Sequence, residues 1–274
     1  MANQIRKQTI IIWILTTVIT LASVIYQRTT GPTYPHHGSV NIAREIIEYK
    51  LIRSHISSED AVISIGPLDA SITGEIRWRR LHSADEWNLV NLAREGDNLT
   101  AIIPKQPPAG KIAYEITLTD GEGLKYPLSE KPVVIRFKGD VPIVVLLLHI
   151  IAMFISMLLS TRAGAEALFS RDKSYKFALW TTGLFIIGGI IFGPIVQYYA
   201  FGSFWSGWPI GSDLTDNKTA VALIGWLVAL WRGRNVKTGR KWFIIAAVLQ
   251  LLVFLIPHSL FGSELVYTSM NKQP

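Results

Sequence analysis

The chain has 274 residues, 49% of them hydrophobic and only 17% charged, with a mean hydropathy of +0.30. That balance excludes an ordinary soluble domain and points to a protein that crosses a membrane several times. The lack of any cysteine excludes disulfides, thiolate nucleophiles, iron–sulfur clusters and cysteine-based zinc sites. The net charge of +7 has a topological origin, so no nucleic-acid partner is expected.

The first apolar stretch, 9–26, follows Arg6 and Lys7. Its length is that of a membrane anchor rather than of a signal-peptide core, and "TLASVIYQR" offers only a weak small-residue cleavage site. Residues 1–26 are therefore expected to form an uncleaved N-terminal anchor.

Residues 27–140 are polar enough, and numerous enough, for one domain. Short alternating runs fill it: "EIIEYKLIRS", "AVISI", "GEIRWRRL", "WNLVNLA", "LTAIIP", "KIAYEITL" and "PVVIRFK", separated by turns such as "KQPPAG" and "TDGEG". About seven strands at this spacing predict an antiparallel sandwich. "PPAGKIAYEITL" resembles the strand of fibronectin type III and immunoglobulin-like modules that carries a buried tyrosine, here Tyr114. The resemblance implies a fold and no activity. A domain of this kind binds or spaces other proteins, so protein partners are expected through it. The His36-His37 pair in its leader lacks further ligands at metal spacing.

Four more apolar stretches follow, at 141–160, 177–200, 219–231 and 242–261, giving five predicted transmembrane helices in all. Lysine and arginine orient them. Arg162, Arg171, Lys173 and Lys176 follow the second stretch, and Arg232, Arg234, Lys237, Arg240 and Lys241 precede the fifth, whereas 201–217 contains neither residue type. The lipid bilayer expected is a bacterial inner membrane, with the N-terminus cytoplasmic and both 27–140 and the C-terminus outside. Residues 141–274 then form a four-helix bundle with a re-entrant outer loop at 201–218. Nine tryptophans suit such a protein, because indole rings favour the membrane interface.

The stretch "WSGWPIGSDLTDNK" runs straight into the fourth helix. At 1.5 Å per residue, Asp216 lies roughly 22 Å above Trp231, and His258 roughly 24 Å above Trp242. Both fall short of a hydrocarbon core about 30 Å thick. His149 lies about 20 Å above Arg162 by the same rise, and Gln197 ends the third helix near the same level. Backbone at that depth cannot face lipid without losing hydrogen bonds, so the loop is expected to line a wet recess.

Two readings of this cluster stand side by side. In the structural one, Thr215 or Asp216 caps the fourth helix, Lys218 pairs with Asp216, and Pro257 ends the fifth helix. In the functional one, Asp213, Asp216 and Glu264 hold a hard divalent cation, or His258 and His149 with a carboxylate hold a transition metal. A haem ligated by His149 and His258 is a further alternative. In the third helix, Gly189 and Gly193 form a close-packing face and Pro194 is expected to kink the chain and free carbonyls. No nucleotide-binding, serine-hydrolase or zinc-protease motif occurs. The reading adopted is a non-enzymatic accessory, assembly or binding subunit of an envelope complex, with a metal- or haem-binding membrane protein as its alternative.

Overall fold

A computed structural model describes residues 2–43, 45–169, 172–257, 262, 264, 265 and 267. Its contacts divide the chain into two units: residues 1–32, 141–199 and 203–262, and residues 33–140, 200–202 and 263–274.

The first unit is helical. It contains α1 (Ala2–Thr30), α2 (Ile143–Leu168), α3 (Ser174–Phe185), a π-helical segment (Ile186–Phe192), α4 (Gly193–Phe201), α5 (Leu214–Arg232) and α6 (Val236–Leu255). α3, the π segment and α4 follow one another without a break, so the helices make five rods. Three rods are long and apolar enough to cross a membrane: 6–30, 143–168 and 174–201.

Their side-chain distribution is that of a protein whose solvent is oily. On α1, Ile10, Ile11, Ile14, Leu15 and Val18 are exposed, whereas Thr16, Thr20 and Ser23 are buried. Each buried hydroxyl donates to the carbonyl four residues back, at 2.9, 2.8 and 2.8 Å. With their donors satisfied internally, these small side chains present a close-packing face to α2 and α6.

The helix ends differ from the apolar stretches in instructive ways. α2 continues through Leu168, because "TRAGAEAL" is rich in strong helix formers and Arg162 donates to Glu166 one turn on. Arg162 and Glu166 are thus buried helix residues, where charge alone had suggested a loop. α5 begins at Leu214, ahead of its apolar run, because Asp213 caps it. Gly189 lies in the π segment, which ends two residues before Pro194. Proline brings no N–H and its ring crowds the carbonyl four residues back, so a helix that widens just before it avoids the clash.

The second unit is rich in β-sheet. Among the described residues it has eleven strands: β1 (His36–Ile42), β2 (Glu45–Leu51), β3 (Ser54–Ile56), β4 (Ala61–Ile65), β5 (Thr73–Arg80), β6 (Asn88–Asn91), β7 (Ala93–Glu95), β8 (Asn98–Ile103), β9 (Lys111–Thr119), β10 (Lys125–Pro127) and β11 (Val133–Lys138). Every run read as strand contains one. The four additions are β1, which opens with His36 and His37 opposite Leu51 and Lys50, and the short β3, β7 and β10.

β1 and β2 pair as a hairpin, and β4, β8 and β7 form a three-stranded sheet in that order. The largest sheet runs β3-β11-β9-β5-β6, with β10 also paired to β9. All pairings are antiparallel except β3 with β11. Alternation then builds the core. Ile63, Ile65 and Leu99 from one sheet and Ile76, Ile116 and Phe137 from another enter the same buried cluster. Tyr114 is fully buried there, and its hydroxyl donates to the Ile52 carbonyl at 2.8 Å. Burial pushes its pKa upward.

Candidate functional site

The 202–213 loop is fastened to the start of α5 by two carboxylates. The Oδ2 atom of Asp216, a buried residue on the first turn, accepts from the backbone N–H of Ser206 at 2.6 Å and of Gly207 at 3.0 Å. It also accepts from Gln197 Nε2 of α4 at 3.1 Å and lies 3.3 Å from the Ser206 hydroxyl. Gln197 Nε2 donates to that hydroxyl oxygen at 2.7 Å. Charge-assisted bonds of this kind are the stronger class, and the positive end of the helix dipole favours the same anion.

Asp213 accepts from Thr215 N–H at 2.8 Å as the cap of α5, and its own N–H donates to the Ser206 carbonyl at 2.9 Å. Its Oδ2 lies 3.2 Å from the Ser206 hydroxyl. Asn217 Oδ1 completes the fastening by accepting from Trp208 N–H at 2.6 Å. Gly207 is required at this approach: a Cβ there would stand 2.6 Å from Asp216 Cβ. The loop so held carries its apolar tip outward, with Trp208 78% and Ile210 77% exposed.

Asp213 and Asp216 are therefore brought together, around Ser206. His149 and Glu264 have other partners. His149 Nδ1 lies 2.8 Å from the Gly188 carbonyl in the π segment, a bond that requires the Nδ1–H tautomer. The same carbonyl accepts from Gly193 N–H five residues on, which is the π pattern. Glu264 belongs to the second unit, where it pairs with Lys111 and lies 2.9 Å from His82 Nε2. Partial burial works to raise its pKa, but the Lys111 bond and the positive charges of Lys111, His82 and Arg136 outweigh it and hold the carboxyl below its ordinary range. His258 lies outside the described residues. Among the described residues no group of three histidines or carboxylates is arranged to hold a metal.

Lys218 does not pair with Asp216 in the way the structural reading expected. It is buried, and its Nζ donates to the Ile256 carbonyl at 2.6 Å, satisfying backbone just past the end of α6. Residues two apart on a helix project to different sides, so Asp216 and Lys218 do not face each other on α5, and the ammonium reaches a carbonyl at the end of α6 instead.

The sequence reading missed a second polar layer. Arg162 and Glu166 form a fully buried ion pair in α2. The guanidinium carbon sits 4.8 Å from the Trp13 ring centroid on α1 and 5.5 Å from that of Phe177 on α3. Nearby in the same unit, Trp226 Nε1 donates to Gln250 Oε1, joining α5 to α6, and Ser156 Oγ donates to Thr181 O at 3.0 Å, joining α2 to α3. An Arg and Glu four apart within an alanine-rich helical run was the signal available.

No family model matches the chain. No curated protein and no solved structure matches it either. Function has to be argued from these residues alone.

Proposed function

We propose that this protein is a non-enzymatic accessory or assembly subunit of a bacterial inner-membrane complex, with five spans and an extracytoplasmic immunoglobulin-like sandwich that receives an extended segment of a partner protein. The alternation of cationic and cation-free loops supports a cytoplasmic N-terminus, with 27–140 and the C-terminus outside. Two sheets that share one core, a buried Tyr114 on β9 and the parallel β3–β11 pair support the sandwich.

One observation carries the binding role. β6 ends the largest sheet, pairs only with β5 among the described residues, and has all four residues exposed. Leu89 is 63% and Val90 48% exposed. Edge strands are ordinarily guarded by lysine, proline or a bulge. "NLVN" has no lysine or proline, so its free N–H and C=O row suits strand addition by a partner, with Leu89 and Val90 offering apolar contacts on opposite faces. The carboxylates Asp213 and Asp216 support the non-enzymatic side of the reading, because the groups that donate to them belong to the loop and to the two helices it joins, α4 and α5.

Co-purification of the full chain from native membranes in mild detergent tests this. A stoichiometric partner retained by the unaltered protein and lost from a folded Leu89→Lys/Val90→Pro variant is the expected result. A lone monomer, or a partner indifferent to the two substitutions, refutes it.

A further inference from the structure

α5 ends at Arg232 and α6 begins at Val236, and the turn between them is unusually close. A Cβ on Gly239 would stand 2.5 Å from Gly233 Cα, and one on Gly233 would overlap the Phe243 ring. Only glycine allows the two helix ends to touch in this way. The contact gathers side chains from both helices. Arg232 Cζ sits 4.6 Å from the Trp231 ring centroid and 5.7 Å from that of Trp242, and Lys241 Nζ sits 6.0 Å from the same Trp242 ring. Trp231, Arg232, Arg234 and Lys241 are exposed.

The charge here has little internal compensation. No Asp or Glu occurs from Lys218 to Ser263. Asp172, which lies 4.0 Å from Arg240, is 95% exposed. A guanidinium stacked on indole spends its face on the ring and keeps its N–H edge free, which is the geometry that meets a phosphate through two parallel bonds. Two tryptophans beside it are the residues that settle at head-group depth.

We infer that the α5–α6 turn binds the phosphate of an anionic phospholipid head group, with Arg232 as the oriented fork, Lys241 as a second cation, and Trp231 and Trp242 as the walls that aim them. Loop charge of this sign follows from topology alone, but topology asks only for a count of cations, and it does not explain an arginine held between two indoles by a glycine contact. The inference rests on α5 and α6 lying in the bilayer.

The test uses the full chain, delipidated in mild detergent and offered palmitoyl-oleoyl phosphatidylglycerol or the matching phosphatidylcholine, with retained lipid counted by native mass spectrometry. The unaltered protein is expected to prefer the anionic lipid, and Arg232→Gln/Lys241→Gln to reduce that preference about thirtyfold, the effect of two cations at an anionic surface. Arg6→Gln/Lys7→Gln removes the same charge before α1 and should keep the preference. Trp231→Leu/Trp242→Leu removes no charge and should lower it, as should Arg232→Lys, which retains charge without the fork. Equal losses in the two charge-removing variants, or no loss in the tryptophan variant, overturn the site while leaving α5 and α6 in the membrane. Retention of neither lipid overturns the membrane placement as well.

Discussion

Replacing Asp216 by alanine withdraws one acceptor from two backbone N–H groups and a carboxamide at once. A buried donor left without a partner costs about 1–3 kcal/mol, and bonds to a charged acceptor are at the upper end. Gly207 N–H is the buried one of the pair, while Ser206 is only partly covered and can recover water. The expected loss for Asp216→Ala is therefore about 2–5 kcal/mol. Asparagine keeps one oxygen in place but forfeits the charge, for a loss of about 1–2 kcal/mol. Asn217→Ala strips one bond, from the exposed Trp208 N–H, and should cost less than either. Two measurements check the order: thermal unfolding in detergent, and chymotrypsin cleavage after Phe204 or Trp205, which should accelerate in the same sequence. If Asp216→Ala unfolds and is cleaved like the unaltered protein, the anchor does not exist. If Asp216→Asn instead releases a stoichiometric divalent cation from the native protein, the carboxylate is a ligand and the structural account fails.

Three further expectations concern other groups. Glu166→Leu should destabilise the bundle by about 3–5 kcal/mol by leaving Arg162 buried beside no carboxylate, and Arg162→Met/Glu166→Leu should recover most of that loss in the same melting assay. Glu264 has a depressed pKa in the folded chain, so its contribution is fully present above the unfolded value of about 4.3 and is lost as pH falls through the lower folded value. Protease access to 262–267 should accordingly rise on acidification below that range, and Glu264→Gln should remove the pH dependence. His149→Leu should cost about 1 kcal/mol and speed amide exchange specifically across the π segment, where Gly188 O loses a donor; unchanged exchange there would refute the bond.

Much of the β-sheet region was legible because a strand declares its own period. "GEIRWRRL" alternates on paper and runs along β5, with Ile76 buried and Arg77 exposed, and Tyr114 was placed in the core before its partner was known. What sequence could not supply was pairing across distance. Nothing near Ser54 announces that β3 will run parallel to β11, 82 residues on at the Ser54–Arg136 pair. The same limit governs the sites. Asp213 and Asp216 were recognised as neighbours because the chain makes them so, but the helix cap was expected from Thr215 or Asp216 and is supplied by Asp213. Lys218 was assigned to the nearest carboxylate in sequence, whereas its acceptor, Ile256 O, lies just past the end of α6, 38 residues on. Arg162 and Glu166 were read as loop because charge usually marks an end; here the aromatic rings of Trp13 and Phe177 make their burial tolerable, and those rings arrive from two different helices.

The widened turns between Ile186 and Phe192 also govern direction. An α-helix advances about 100° per residue, so accommodating one extra residue in a wide turn swings everything beyond it through roughly that angle. Gln197, a few residues further along the same rod, meets Ser206 and Asp216 under that altered heading. Shortening the segment by one residue to restore a regular spiral would turn this amide away from the carboxylate while leaving every atom of the loop untouched. The rod thus behaves as a bent key whose bit is cut at one point and turned at another.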